Sequence, residues 1–66
     1  MNIRYDKEVD AMYITLRKAP VANTKKVDDN TVIDYDENGR VIGIELLFVT
    51  EHNPDILKEF LVEQSA

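Results

Sequence analysis

Thr31-Val32-Ile33-Asp34-Tyr35-Asp36-Glu37-Asn38-Gly39-Arg40-Val41-Ile42-Gly43-Ile44-Glu45-Leu46 decides the fold. On either side of Asn38-Gly39 lies a run of β-branched and aromatic residues alternating with period two, as a strand with one face in a core does. Asn-Gly is the preferred pair for a two-residue type I′ turn, because both central residues need φ > 0. That turn sets Glu37 against Arg40, Tyr35 against Ile42, Ile33 against Ile44 and Thr31 against Leu46. The last three pairs share an apolar face that should look into the core. The other face takes Asp36 with Val41, Asp34 with Gly43, and Val32 with Glu45. Glycine weakens a strand interior, so Gly43 marks a bulge or a close backbone approach.

Upstream, Ile3-Arg4-Tyr5 alternates as a short strand and Asp6-Lys7-Glu8 reads as a turn. Ala11-Met12-Tyr13-Ile14-Thr15-Leu16 follows, with Met12, Ile14 and Leu16 on one face. These segments form a first hairpin. Arg17 to Lys26 has no clear period and contains Ala19-Pro20. Pro20 disfavours helix for the residue before it, so this segment reads as an irregular loop.

Downstream, Asn53 is a good N-cap, Pro54 suits the first helical position, and Asp55 complements the positive end of the macrodipole. Ile56, Leu57, Phe60 and Leu61 make one apolar stripe, with Asp55, Glu59 and Glu63 opposite. The expected architecture is α+β, in one domain spanning residues 1–66. It is a four-stranded antiparallel β-meander of two hairpins, with the C-terminal helix packed on one sheet face.

Sixty-six residues bury a small core, and such domains often add disulfides, metals or self-association. The chain has no cysteine, which removes disulfides, thiolate zinc sites and cysteine nucleophiles together. Val41 to Val49, the longest apolar stretch, is interrupted by Glu45 and too short to span a bilayer. Met-Asn-Ile-Arg-Tyr-Asp lacks the apolar core of a signal peptide, so a cytoplasmic location is expected. The net charge of −5 is unevenly placed: residues 34–66 carry 2 Lys/Arg against 8 Asp/Glu. That half repels a phosphate backbone, and the other half has no arginine-rich stripe, so nucleic acid is disfavoured. A basic protein partner, or a cation, fits better.

Three blocks carry a family resemblance: Tyr5-Asp6, Asp10-Ala11-Met12-Tyr13-Ile14-Thr15-Leu16, and Asp34 to Leu47 with its Asp-Glu-Asn-Gly-Arg centre. Together, over roughly residues 1–50, they resemble the bacterial family called domain of unknown function 2283. The resemblance implies a short prokaryotic cytoplasmic protein with no assigned enzymatic activity. Some members of that family look like the antitoxin half of a two-gene pair, beside a small basic toxin-like protein. No functional residues of the family exist to be mapped onto this chain.

The residues offer several candidate sites. Asp34-x-Asp36-x-Asn38-Gly39-x5-Glu45 fits a calcium-loop pattern. A helix would have to flank it on both sides, and in a regular hairpin Glu45 lies too far down the strand to share an ion with Asn38. Asp34 and Glu45 are diagonal neighbours, able in principle to share a proton or a divalent cation, and equally able to keep an exposed face soluble. His52 stands alone, without cysteine or a second histidine, and makes a poor metal ligand. Tyr13 lies opposite Met12 and Ile14, on a face with no second helix to cover it, and is a candidate interface anchor.

The reading is a non-enzymatic interaction module, antitoxin-like by resemblance, that binds a small basic protein. Tyr13, Asp34, Glu45, Asp55, Glu59 and Glu63 are its candidate contact residues. No catalytic residue, cofactor or metal is assigned. A divalent-cation or small-ligand binder built on the Asp34–Glu45 hairpin, and a structural homodimer, stay open as alternatives.

Overall fold

The computed structural model describes residues 1–55, 58 and 59. Five strands are present: β1 (Asn2–Asp6), β2 (Ala11–Thr15), β3 (Asn23–Asp28), β4 (Thr31–Tyr35) and β5 (Val41–Leu46), followed by α1 (Val49–His52). They form one antiparallel sheet in the order β1-β2-β5-β4-β3.

This overturns the expected meander of four strands covered by a helix. The segment read as a loop, Arg17 to Lys26, ends inside a fifth strand, β3, which pairs with β4 from Asn23 against Tyr35 to Asp28 against Thr31. All six of its residues are exposed, so it lacks the apolar alternation that reveals a half-buried strand. The strand after the first hairpin is also not its neighbour. β2 pairs with β5, through Met12 with Leu46 and Ile14 with Ile44, and β5 thereby becomes the central strand. The helix differs too. α1 has four residues with Asn53 as its C-cap, and the chain is helical again immediately after Asn53, at Pro54, Asp55, Lys58 and Glu59. The stripe Ile56, Leu57, Phe60 and Leu61 lies outside the described residues.

Two deviations in the β4–β5 hairpin cancel. Asn38 has no positive φ, whereas Gly39 has φ +81°. The Gly39 N–H donates to the Asp36 carbonyl at 3.0 Å, and the Asp36 N–H donates to the Arg40 carbonyl at 2.9 Å. This is a three-residue loop, a type I turn closed by a left-handed glycine, in place of the expected type I′ turn. The extra loop residue moves Tyr35 from Ile42 to Val41. A bulge between Asp34 and Tyr35 then skips Ile42 and restores Asp34 to Gly43, Ile33 to Ile44 and Thr31 to Leu46. Unpaired on the β4 side, Ile42 uses its carbonyl for the amides of Leu16 at 2.8 Å and Arg17 at 3.4 Å.

The resulting registers sort the side chains onto two faces. Ile3, Ile14, Ile44, Ile33 and Lys25 form one row across all five strands, with Tyr5, Met12, Leu46 and Thr31 alongside. Met12 and Val49 are 2% and 1% exposed. Full burial of a side chain of that size is worth about 2 kcal/mol, and with Ala11 and Ile42 also buried the core is drawn from β2, β5 and α1. The opposite face carries Arg4, Tyr13, Glu45, Val32 and Lys26 in one row and Asn2, Thr15, Gly43, Asp34 and Thr24 in the next.

Candidate functional site

Three of the residues singled out from sequence meet on the second face. Tyr13 and Glu45 are register partners, and Asp34 lies diagonally beyond Glu45, opposite Gly43. Gly43 opens the path between them. A Cβ there would collide with the Tyr13 hydroxyl and stand 2.8 Å from its Cζ. The phenol therefore lies across the central strand and donates to Asp34 Oδ2 at 2.6 Å, while Thr24 Oγ1 donates to Asp34 Oδ1 at 2.8 Å. One carboxylate thus links β2 and β3 through β4. The hydrogen bond to Asp34 is the main cause that raises the Tyr13 pKa above its ordinary 10.0. Desolvation and the carboxylates of Asp34 and Glu45 add to it, and Arg4 opposes it.

The carboxylates of the calcium-like pattern are employed separately. Asp36 Oδ1 accepts the Asn38 and Arg40 amides, both at 2.9 Å, and so shapes the hairpin loop. Asp34 serves Tyr13 and Thr24. Among the described residues, no three His, Asp or Glu side chains gather as a metal-holding group.

A second tyrosine–aspartate pair was not singled out from sequence. Tyr5 donates to Asp10 Oδ1 at 2.7 Å. The same carboxylate receives the Thr50 amide at 3.1 Å and the Thr50 hydroxyl at 2.8 Å, and the Asp10 carbonyl receives the Val49 amide at 3.0 Å. Asp10 therefore caps α1 from forty residues upstream, replacing Phe48, which occupies the N-cap without a side-chain bond. Its φ of 55° is left-handed, a conformation that aspartate tolerates better than most residues. The Tyr5 hydrogen bond, opposed by desolvation and aided by Thr50, lowers the Asp10 pKa below its ordinary 3.8. Reciprocally, the bond to Asp10 raises Tyr5 above 10.0.

Strand direction brings the turn after β1, the turn after β3 and α1 to the same end of the sheet. Asp6, Glu8, Asp10, Asp28, Asp29 and Glu51 are spread along that end, from one edge of the sheet to the other, with Lys7 the only Lys or Arg in those turns and α1. The two halves of the sequence thus pool their carboxylates. Asp28 is held below its ordinary pKa first by the Asn30 amide and then by the Thr31 hydroxyl, and His52 contributes charge. His52 is the last residue of α1 and sits edge-on to Phe48, with ring centroids 6.4 Å apart. Phe48 is 48% exposed and has φ 54°, a costly conformation for a bulky residue.

Asp55 and Glu59 are exposed, and Glu63 lies outside the described residues. A shallow hollow of about 750 Å³ wraps the β1–β2 tip, lined by Arg4 and Tyr13 of one face and Tyr5 and Met12 of the other. A hollow that borders both faces of a sheet is an open rim, unlike the concave pockets that enclose small ligands. No helix of the described residues is long and apolar enough to cross a membrane.

Comparison with known proteins gives one match. The model for a family described as protein of unknown function, DUF2283, matches residues 2–49, which span the whole sheet and the first residue of α1. No curated protein and no solved structure matches the chain.

Proposed function

We propose, from the premise that the chain belongs to the DUF2283 family of proteins of unknown function, that it is a non-enzymatic interaction module. In this reading it is antitoxin-like and captures a small basic protein at the α1 end of its sheet. The observation that carries the proposal is the placement of six carboxylates along the end of the sheet that also bears the exposed, left-handed Phe48. Opposite charge speeds the encounter and rejects acidic competitors. An aromatic side chain supplies the apolar anchor on which binding energy concentrates. Backbone strain stored at an exposed residue is more often a feature of a working surface than of a scaffold. The family resemblance supports the same kind of partner.

The test is affinity capture from the native host's lysate, with the wild-type chain beside two variants. A small basic protein should be recovered stoichiometrically by wild type and lost as salt rises. It should also be lost with the triple reversal Asp28→Lys, Asp29→Lys and Glu51→Lys. Phe48→Gly should weaken capture by roughly tenfold or more. It should nonetheless melt at a higher temperature than Phe48→Ala, because glycine relieves a left-handed penalty of about 1 kcal/mol that alanine retains. Equal recovery by wild type and the triple reversal would remove the acidic end from the function.

A further inference from the structure

The opposite pole of the charge distribution has its own surface. From Leu16 to Val27 the chain carries Arg17, Lys18, Lys25 and Lys26, no acidic residue, and every residue is exposed. Its second half is β3, an edge strand that among the described residues pairs only with β4. One side of its backbone therefore has no strand partner among the described residues, and an exposed edge of this kind is a template for adding a strand.

Its lysines decide which strand can add. Lys25 pairs with Ile33 and Lys26 with Val32, residues that lie on opposite faces, so one ammonium projects on each side of any strand laid against β3. In antiparallel pairing, directly opposite residues are both hydrogen-bonded or both not. A second copy on the same edge, related by a two-fold axis, is thereby limited in its central registers to Lys25 against Lys25 or Lys26 against Lys26. Like charges directly opposite are destabilising. The register shift between Lys26 and Asp28 further shortens the flat part of the edge, and a bulge of this kind blunts self-pairing. An extended segment with two consecutive acidic residues meets the opposite situation, because it places one carboxylate beside each lysine.

The position of β3 is also prepared. Thr24 donates to Asp34 at 2.8 Å, and the Ala22 amide donates to the Tyr35 carbonyl at 2.9 Å. The strand is fixed at its start by the carboxylate that also receives Tyr13. Val27, at 52% exposed, stands at the far end as an apolar contact.

We propose that β3 is a docking edge for an extended acidic segment of another protein, added as a sixth strand with adjacent Asp or Glu residues beside Lys25 and Lys26. The docking segment Asn23–Lys26 lies on the same strand as Asp28 of the acidic end but does not depend on the reading given for that end.

The experiment titrates the isotopically labelled full chain with a synthetic Thr-Val-Glu-Glu-Val-Thr peptide and follows the backbone amides by NMR. Shifts should concentrate at Asn23–Lys26 and their β4 partners, and the outward β3 amides should gain protection from exchange. The double variant Lys25→Glu, Lys26→Glu should bind at least tenfold more weakly while keeping the wild-type amide pattern elsewhere. A peptide with proline between the two glutamates and the following valine should also fail, because a missing N–H breaks the ladder. Absence of shifts at β3, equal binding by the double variant, or undiminished binding of the proline peptide would each overturn the proposal. So would a β3–β3 dimer of the wild-type chain.

Discussion

Tyr5–Asp10 and Tyr13–Asp34 are the same chemical pair put to different uses. Both are hydroxyl-to-carboxylate bonds, of 2.7 and 2.6 Å, and both tyrosines are raised above their ordinary pKa. Five residues separate the first pair and twenty-one the second. The first stands at the end of the sheet, where Asp10 gathers β1 and α1 through backbone and side-chain bonds. The second lies flat on a sheet face and crosses β5, which is possible only because residue 43 has no side chain. The difference separates two ways of stabilising a small sheet. One fastens a short element to its end; the other ties strands together across a neighbour, through a gap that glycine leaves open.

Breaking the second arrangement should have the largest effect on global stability. Gly43→Ala places a Cβ against the Tyr13 ring, so the phenol must swing off the face and release Asp34. Loss of a hydrogen bond to a charged group costs about 2 kcal/mol, only partly offset by alanine's better strand entropy. Urea denaturation should show this loss in the single variant. In a Tyr13→Ala background the same substitution should stabilise by about 0.5 kcal/mol, because only the entropic term survives. Equal effects in the two backgrounds would mean that Gly43 serves the bulge beside it rather than the tyrosine.

The first arrangement predicts a more local loss. Asp10→Ala removes three bonds to Tyr5 and Thr50 and forces alanine into a left-handed backbone. Amide exchange at Val49 and Thr50 should accelerate strongly, while exchange at the β4–β5 ladder changes little. Asp10→Gly should restore part of the melting temperature lost in Asp10→Ala, and none of the Thr50 protection. That split would assign the conformation to the backbone and the helix cap to the carboxylate. Recovery of both by glycine would deny the carboxylate its role.

What could be read from sequence follows the same division. The core-facing pairs Ile33–Ile44 and Thr31–Leu46, and the outer pairs Asp34–Gly43 and Val32–Glu45, match the register read from the Asn-Gly turn and the alternation of its flanks. They were obtained despite the wrong turn, because one added loop residue and one bulged residue return the strands to the same register. Asn-Gly suits both a type I′ turn and a type I turn ending in left-handed glycine, and the Asp36 carboxylate on two loop amides favours the second. Gly43 correctly signalled a close approach, with Tyr13 as the approaching group.

β3 was missed because Asn-Thr-Lys-Lys-Val-Asp buries nothing and so shows no period. The Asp28-Asp29-Asn30 that closes it is a usable sign, since the Asn30 amide folds back onto Asp28. The pairing of β2 with β5 and the reach of Asp10 to Thr50 are contacts between distant segments, and local propensity carries no record of them. The second face was therefore partly legible, through Tyr13, Asp34 and Glu45. The acidic end was not, because it is assembled from turns that only topology brings together.

The smallest expected effects are those of pH, and they compare the two pairs most directly. Asp10 titrates below its ordinary value, so its stabilisation is present above about pH 4 and is lost as pH falls through the native pKa. Tyr5 and Tyr13 titrate above theirs. Their stabilisation is complete below about pH 10 and is lost as pH rises through the native value, where a phenolate would face a carboxylate. Melting temperature against pH should therefore fall on both sides. Asp10→Asn should flatten the acid side in part, leaving the share contributed by Asp28, whose pKa is also lowered. Tyr13→Phe and Tyr5→Phe should each flatten the alkaline side. Their effects should add, because the two pairs share no residue, and groups without common partners behave independently. An alkaline limb unchanged in the double Tyr5→Phe, Tyr13→Phe variant would show that neither bond reports on the folded state. A sub-additive result would show instead that the α1 end and the sheet face are coupled through β2, the strand whose first residue follows Asp10 and whose centre is Tyr13.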